Sequence, residues 1–181
     1  VRKGPDIILF SGDKMLGGPQ SGIILASRKI INIIKSNSIY RTVRCDKITI
    51  TMLDQIVRSY KRHGFSNVNL TLSLLTSTRE DLDKMGKSIV NNIPSKKIKM
   101  LGLSVENSLV EAGSGSLPEK NIESVALKFS SSVISSNKLS LLLKKGKVPI
   151  VGYIQKDSFF IDLKAVLPSQ VSKIIKAINN I

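Results

Sequence analysis

Asp13 and Lys14 stand side by side in Ser11-Gly12-Asp13-Lys14-Met15-Leu16-Gly17-Gly18-Pro19-Gln20-Ser21-Gly22, a loop dominated by small residues. Two apolar runs flank it, Ile7-Ile8-Leu9-Phe10 and Ile23-Ile24-Leu25-Ala26, and they predict buried strands over 6–10 and 22–26. A lysine at the end of such a strand, in a glycine-rich loop, is approachable by a ligand at close range. Its amine becomes a nucleophile when burial or nearby cations lower its pKa, and it then forms Schiff bases with carbonyl compounds. An aspartate beside it can orient a group or receive a proton. The same residues also fit a solvated lysine in a turn that Asp13 caps. A Walker A loop is excluded, because Lys14 precedes the Gly17-Gly18 pair instead of following a glycine at the P-loop interval.

Arg41 and Arg44 are three residues apart. On one helix they would share a face and could grip an anion between two planar guanidinium forks. Otherwise they form a solvated basic edge. Gly113-Ser114-Gly115-Ser116-Leu117-Pro118 could present backbone N–H groups to an anion, and it reads equally as a flexible loop. His63, the one histidine, sits beside Gly64 at the end of a helical pattern and reads as its C-terminal cap. One His and one Cys do not make a zinc ligand set. Cys45 alone allows no internal disulfide, which fits a reducing cytoplasm.

The elements that position these residues follow from periodicity and caps. Helices are expected over 27–34 with Ser27 as cap, over 49–62, and over 78–92 with Thr78 or Ser77 as cap. In the last of these Glu80 and Asp81 suit the first turn of the dipole. Residues 67–76 read as helical or irregular, and Pro94 marks a boundary. Beyond it, strands are expected over 97–105 and 124–129, a short helix over 138–144, and a hairpin of 148–155 with 158–163 around Lys156-Asp157. A closing helix over 168–179 would bury Val171, Ile174, Ile175 and Ile178. This is the pattern of a small α/β sandwich with helices on one face.

The chain has 181 residues, with 28 Lys and Arg against 13 Asp and Glu, a net charge of +15. Such an excess favours a polyanionic partner such as RNA. It also follows from the Lys, Ile and Asn bias of an AT-rich genome. Trp is absent and aromatics are 4%, so stacking platforms for single-stranded bases are scarce. No signal-peptide pattern and no membrane-spanning apolar run is present, so no membrane partner is expected.

The Asp6 to Gly22 segment resembles the cofactor-lysine segment of the bacterial selenocysteine synthases, the L-seryl-tRNA(Sec) selenium transferases. Tyr40-Arg41-Thr42-Val43-Arg44-Cys45-Asp46-Lys47, Gly113 to Pro118, Val148 to Ile154 and Phe160-Ile161-Asp162-Leu163 match that family in the same order. The resemblance runs nearly end to end and implies the C-terminal portion of a longer enzyme. It implies an α/β fold: residues 1–76 as the C-terminal part of a fold-type-I large domain, 77–94 as a connecting helix, and 95–181 as a small α/β domain. It further implies pyridoxal 5'-phosphate on Lys14, with Ser11, Gly17 and Gly18 around it and Asp13 in the active site. Arg41 and Arg44 would hold the anionic donor selenophosphate. Seryl-tRNA(Sec) would be the other substrate, in a cytoplasmic homo-oligomer. Thr42-Val43 and Cys45 depart from the family's pattern, and Cys45 is expected only to pack. The upstream half that binds the cofactor phosphate and ring is not in this sequence, so the isolated chain is expected to be inactive. Two other readings stay open: another fold-type-I lyase or transferase acting on a small amino acid, or an inert basic RNA-binding remnant.

Overall fold

The computed structural model describes residues 4–62, 69–111 and 121–181. His63-Gly64 and the Gly113 to Pro118 stretch lie outside them. The chain is a mixed α/β protein with two compact units, residues 1–76 with 113–116 and residues 77–112 with 117–181. Among the described residues no helix is long and apolar enough to cross a membrane.

In the first unit, β1 (Ile7–Ser11) and β2 (Gly22–Ala26) pair antiparallel, with Ile7 opposite Ala26 and Ser11 opposite Gly22. The strands form where the apolar runs predict, but they are not buried: Leu9 is 69% exposed and Leu25 52%. The physical reason is that, among the described residues, they make a two-stranded ribbon with no third strand, which leaves much of its surface in water. Three helices then start at side-chain caps, which satisfy backbone N–H groups left orphaned in the first turn. Ser27 Oγ accepts from Ile30 N at 3.4 Å ahead of α1 (Arg28–Ser36). Asn37 Oδ1 accepts from Ile39 N at 2.9 Å ahead of α2 (Ser38–Thr42). Asp46 accepts from Thr49 N at 2.8 Å ahead of α3 (Lys47–Tyr60), and that bond holds its carboxyl below the ordinary carboxylate range. The helix expected over 49–62 therefore starts two residues earlier than its apolar pattern does. Within the stretch expected to be helical or irregular, Leu70–Thr76 form α4.

The second unit is built on a four-stranded antiparallel sheet of order β3-β4-β6-β5. Its strands are β3 (Leu103–Glu111), β4 (Asn121–Phe129), β5 (Tyr153–Gln155) and β6 (Ser158–Asp162). The register sets Leu127 opposite both Val105 and Ile161, and Phe129 opposite both Leu103 and Phe159. That face packs against α5 (Arg79–Asn91), α6 (Ser95–Leu101), α7 (Ser136–Lys144) and α8 (Val171–Asn179). The shared core includes Leu82, Ile89, Leu101, Leu139, Leu143, Ile174 and Ile178. Alternation sends Glu106, Ser108, Ser124, Lys128 and Asp162 to the other face. There Asp162 accepts from Ser108 Oγ and Ser124 Oγ at 2.6 Å each, so the buried Ser124 is satisfied. Helix α5 is capped by Thr78, with Glu80 and Asp81 in its first turn, as its sequence predicts. Lys164, itself buried, donates to Ser77 O at 2.8 Å just ahead of that cap.

Two expectations fail in this unit. The strand expected over 97–105 is helix α6 as far as Leu101, and β3 begins only at Leu103. Pro94 starts that helix with φ −57°, and Gly102 ends it in the left-handed region at φ +56°. This start-and-stop pair, with Ile98 and Leu101 facing the core, outweighs the alternating pattern. The strand expected from 148 begins only at Tyr153. Pro149 has no N–H to donate, and Ile150 N bonds instead to Leu143 O at 3.0 Å. The hairpin turn is as read: Lys156 and Asp157 both have positive φ, 46° and 59°, as a two-residue primed turn requires. In the closing helix, Ile174 and Ile178 are fully buried, while Val171 and Ile175 are half-buried at the margin of the core.

Gly102→Ala should destabilise the second unit, because a Cβ there adopts a left-handed backbone and meets the Ser130 carbonyl. The left-handed penalty alone is about 1–2 kcal/mol. A lowered urea midpoint with unchanged slope is the expected result.

Candidate active site

The loop between β1 and β2 is closed by its own backbone. Gly12 N donates to Ser21 O at 2.9 Å, Gly17 N to Lys14 O at 2.9 Å, and Gly18 N to Gly12 O at 2.8 Å. A side chain would be crowded at each of these glycines, most severely at Gly12 and Gly17. A Cβ on Gly12 would meet Ser21 Oγ and lie 2.9 Å from Pro19 O. Gly17 has φ +70°, and a Cβ on it would stand 2.6 Å from Asn69 Oδ1. A Cβ on Gly18 would lie 3.1 Å from Gly12 O and 3.3 Å from Leu53 Cδ2. The loop is therefore a tight, specified turn packed against α3.

Lys14 projects from this turn with its side chain 41% exposed, and Lys14 Nζ donates to Asp13 Oδ2 at 2.7 Å. That hydrogen bond is the largest of the influences that hold the Asp13 carboxyl below the ordinary carboxylate range. A lysine amine attacks a carbonyl only in its unprotonated form. Among the described residues Ser11 Oγ makes no hydrogen bond, so the hydroxyl is available beside the turn.

Of the residues singled out in the sequence, Ser11, Asp13, Lys14, Gly17 and Gly18 come together in this loop. The N–H groups of Gly17 and Gly18 donate within the turn and so give it its shape. Arg41 lies in α2, whereas Arg44 follows the helix end at Val43. The two therefore do not share a helical face. Both are exposed, and neither forms an ion pair among the described residues. Cys45 is half-buried with a free thiol.

Sequence reasoning missed Tyr60 and Asn69. Tyr60 Oη donates to Met15 O at 3.3 Å and to Leu16 O at 3.1 Å. Asn69 Nδ2 donates to Leu16 O at 3.0 Å, and its Oδ1 accepts from Leu72 N at 3.1 Å. The one available signal was the placement of an Asn directly before an apolar helical stretch, where a cap belongs.

An antiparallel ribbon that presents a lysine on a glycine turn, followed by a unit with helices on one face of an antiparallel sheet, defines a mixed α/β protein. Comparison with known proteins gives the family. Residues 1–167 match the family described as SelA, L-seryl-tRNA selenium transferase, and the chain belongs to it. It is 33% identical to the L-seryl-tRNA(Sec) selenium transferase of Alkaliphilus oremlandii over 182 residues, covering 100% of this chain and 39% of that protein. The corresponding enzyme of Desulfotalea psychrophila is 31% identical over 173 residues, covering 94% of this chain and 37% of that protein. The chain thus spans well under half the length of these relatives. A solved structure of D-glucosaminate-6-phosphate ammonia-lyase is similar with a TM-score of 0.61 and 16% identity, over 97% of this chain and 43% of that one. At that identity the likeness concerns the fold.

The Asp13 carboxyl should titrate below the ordinary aspartate value in an NMR pH series, because Lys14 stabilises its charged form. A depressed carboxyl contributes stability above its unfolded pKa of about 3.9 and loses it as pH falls through the folded value. The ion pair should accordingly survive mild acid, and Lys14→Ala should move the Asp13 midpoint up towards the ordinary value.

Proposed function

We propose that this chain takes part in converting seryl-tRNA(Sec) to selenocysteinyl-tRNA(Sec) with selenophosphate, using pyridoxal 5'-phosphate bound through Lys14. Family membership supports the reaction, and the observation that carries the site is Lys14 held by Asp13 on a turn closed by glycines. The residues present fit an aldehyde-bearing phosphate cofactor in chemical type. Lys14 supplies an exposed primary amine, Ser11 an unengaged hydroxyl, and Arg41 and Arg44 two unpaired guanidinium groups.

When bound, pyridoxal phosphate supplies an electron sink for charge developing at the α-carbon of the amino acid. Lys14 Nζ, once its own proton has passed to solvent, would be the base that takes the seryl Cα proton, holds it and returns it. Asp13 orients Lys14 and stabilises its ammonium form while that proton is held. The glycine turn keeps bulk away from the amine, which leaves room for a substrate as large as a charged tRNA. Arg41 and Arg44 bind the selenium donor's anionic group, each as a charge-assisted donor. Because one stands on α2 and the other beyond it, they act as two separate contacts.

In this reading residues 1–76 belong to a fold-type-I large domain, 77–94 connect, and 95–181 form the small domain. Exposed Ile7, Leu9, Ile24 and Leu25 on the ribbon suit a layer that further polypeptide covers. The proposed setting is a cytoplasmic homo-oligomer, and the excess of positive charge suits tRNA.

Borohydride reduction after mixing with pyridoxal phosphate should fix the cofactor on the Lys14 peptide, and Lys14→Ala should abolish that adduct. Its absence in the chain joined to the upstream half of a family relative removes this reading. Arg41→Ala and Arg44→Ala should each weaken selenophosphate binding by about tenfold, the worth of one charge-assisted hydrogen bond, while the Lys14 adduct persists.

A further inference from the structure

We propose that Tyr60 and Asn69 are positioning residues that fix the backbone of the turn carrying Lys14. The inference rests on the Lys14 reading for its chemical purpose, and on geometry for its existence. The carbonyls of Met15 and Leu16, the two residues that directly follow Lys14, receive side-chain donors from residues far along the chain. Tyr60 Oη, from the last turn of α3, reaches both carbonyls at 3.3 and 3.1 Å. Asn69 Nδ2, immediately before α4, reaches Leu16 O at 3.0 Å. Burial pushes the Tyr60 phenol up, so it remains a protonated donor through neutral pH.

Asn69 is 4% exposed, and both ends of its amide are committed. Its Oδ1 caps α4 through Leu72 N at 3.1 Å while its Nδ2 holds the turn. The amide also fills the space that a Cβ at Gly17 would need. Gly17 therefore keeps its left-handed backbone against a side chain that is itself fixed, and the amide cannot reorient unless the turn shifts. Two helix ends thus converge on the peptide units beside the reactive amine. When the Asp13 contact opens to release a proton, the side chain of Lys14 moves while its Cα stays in place. Fixed placement of this kind is what a reacting amine needs, since small displacements cost large factors in rate.

Tyr60→Phe removes only the phenolic donor. Asn69→Asp keeps an acceptor for Leu72 N but loses the donor to Leu16 O, and so separates helix capping from turn holding. Amide exchange at Gly17 and Gly18 reads the turn in the 181-residue chain, and exchange at Leu72 and Ser73 reads the start of α4. In the double variant Gly17 and Gly18 should exchange about tenfold faster while Leu72 and Ser73 keep their rates. Borohydride trapping of pyridoxal phosphate at Lys14 should fall several-fold relative to trapping at Lys35 in the same chain. Unchanged exchange at Gly17 and Gly18 overturns the proposal, and so does loosening shared equally by Leu72 and Ser73, which marks a merely structural role. If the parent chain traps Lys14 selectively and the loosened variant traps it equally well, the positioning role is overturned while the Lys14 reading stands. A loosened turn with no selective trapping at Lys14, either in these variants or in the chain joined to the upstream half of a family relative, supports the backbone clamp and sinks the Lys14 reading instead.

Discussion

Closure of the Lys14 turn depends on the missing side chains at Gly12, Gly17 and Gly18. A Cβ at Gly12 or Gly18 would crowd a main-chain carbonyl, and at Gly17 it would meet the Asn69 amide. A tight turn of this kind places an amine and a carboxylate on adjacent residues with their side chains still in contact with water. The ribbon, the capped helices and the distal donors of Tyr60 and Asn69 all act on this turn, because hydrogen bonds alone leave a solvent-facing loop free to open.

The two units meet their stability requirements differently. Among the described residues, every fully buried apolar side chain lies between Leu82 and Ile178, in the second unit. That unit is held by burial: one sheet face and four helices remove a continuous cluster from water. The first unit relies on side-chain caps, strand pairing and the glycine turn, and it leaves Ile and Leu residues at its surface. The chemistry proposed here thus belongs to the less buried unit. In the second unit Ser124 bonds to Asp162 and the buried Lys164 to the Ser77 carbonyl, so these two polar groups are satisfied internally.

Where a local signal had a single physical meaning, it was legible. Ser27 and Thr78 cap helices because their hydroxyls are the nearest acceptors for orphaned N–H groups. Lys156-Asp157 turns a hairpin because two residues between alternating runs leave no other geometry. Errors arose where two local signals competed. Residues 97–105 alternate like a strand, yet Pro94 and Gly102 delimit a helix, and packing of Ile98 and Leu101 on the core decided between them. At Val148-Pro149 an apolar run lost to the missing proline N–H.

The sequence by itself determined the positions of β2, α1, α5 and α7 to within two residues, the lysine-bearing turn between two strands, and the family likeness. These depend on neighbours within a few positions, through caps, periodicity and glycine. Only the tertiary structure decided that the ribbon strands are exposed, that Arg41 and Arg44 do not share a helix, and that Tyr60 and Asn69 hold the turn. Those outcomes depend on which residues distant in sequence approach one another, as Leu16 does Tyr60 and Asn69 across 44 and 53 positions. Burial and long-range hydrogen bonding are properties of that approach, and no local pattern encodes them.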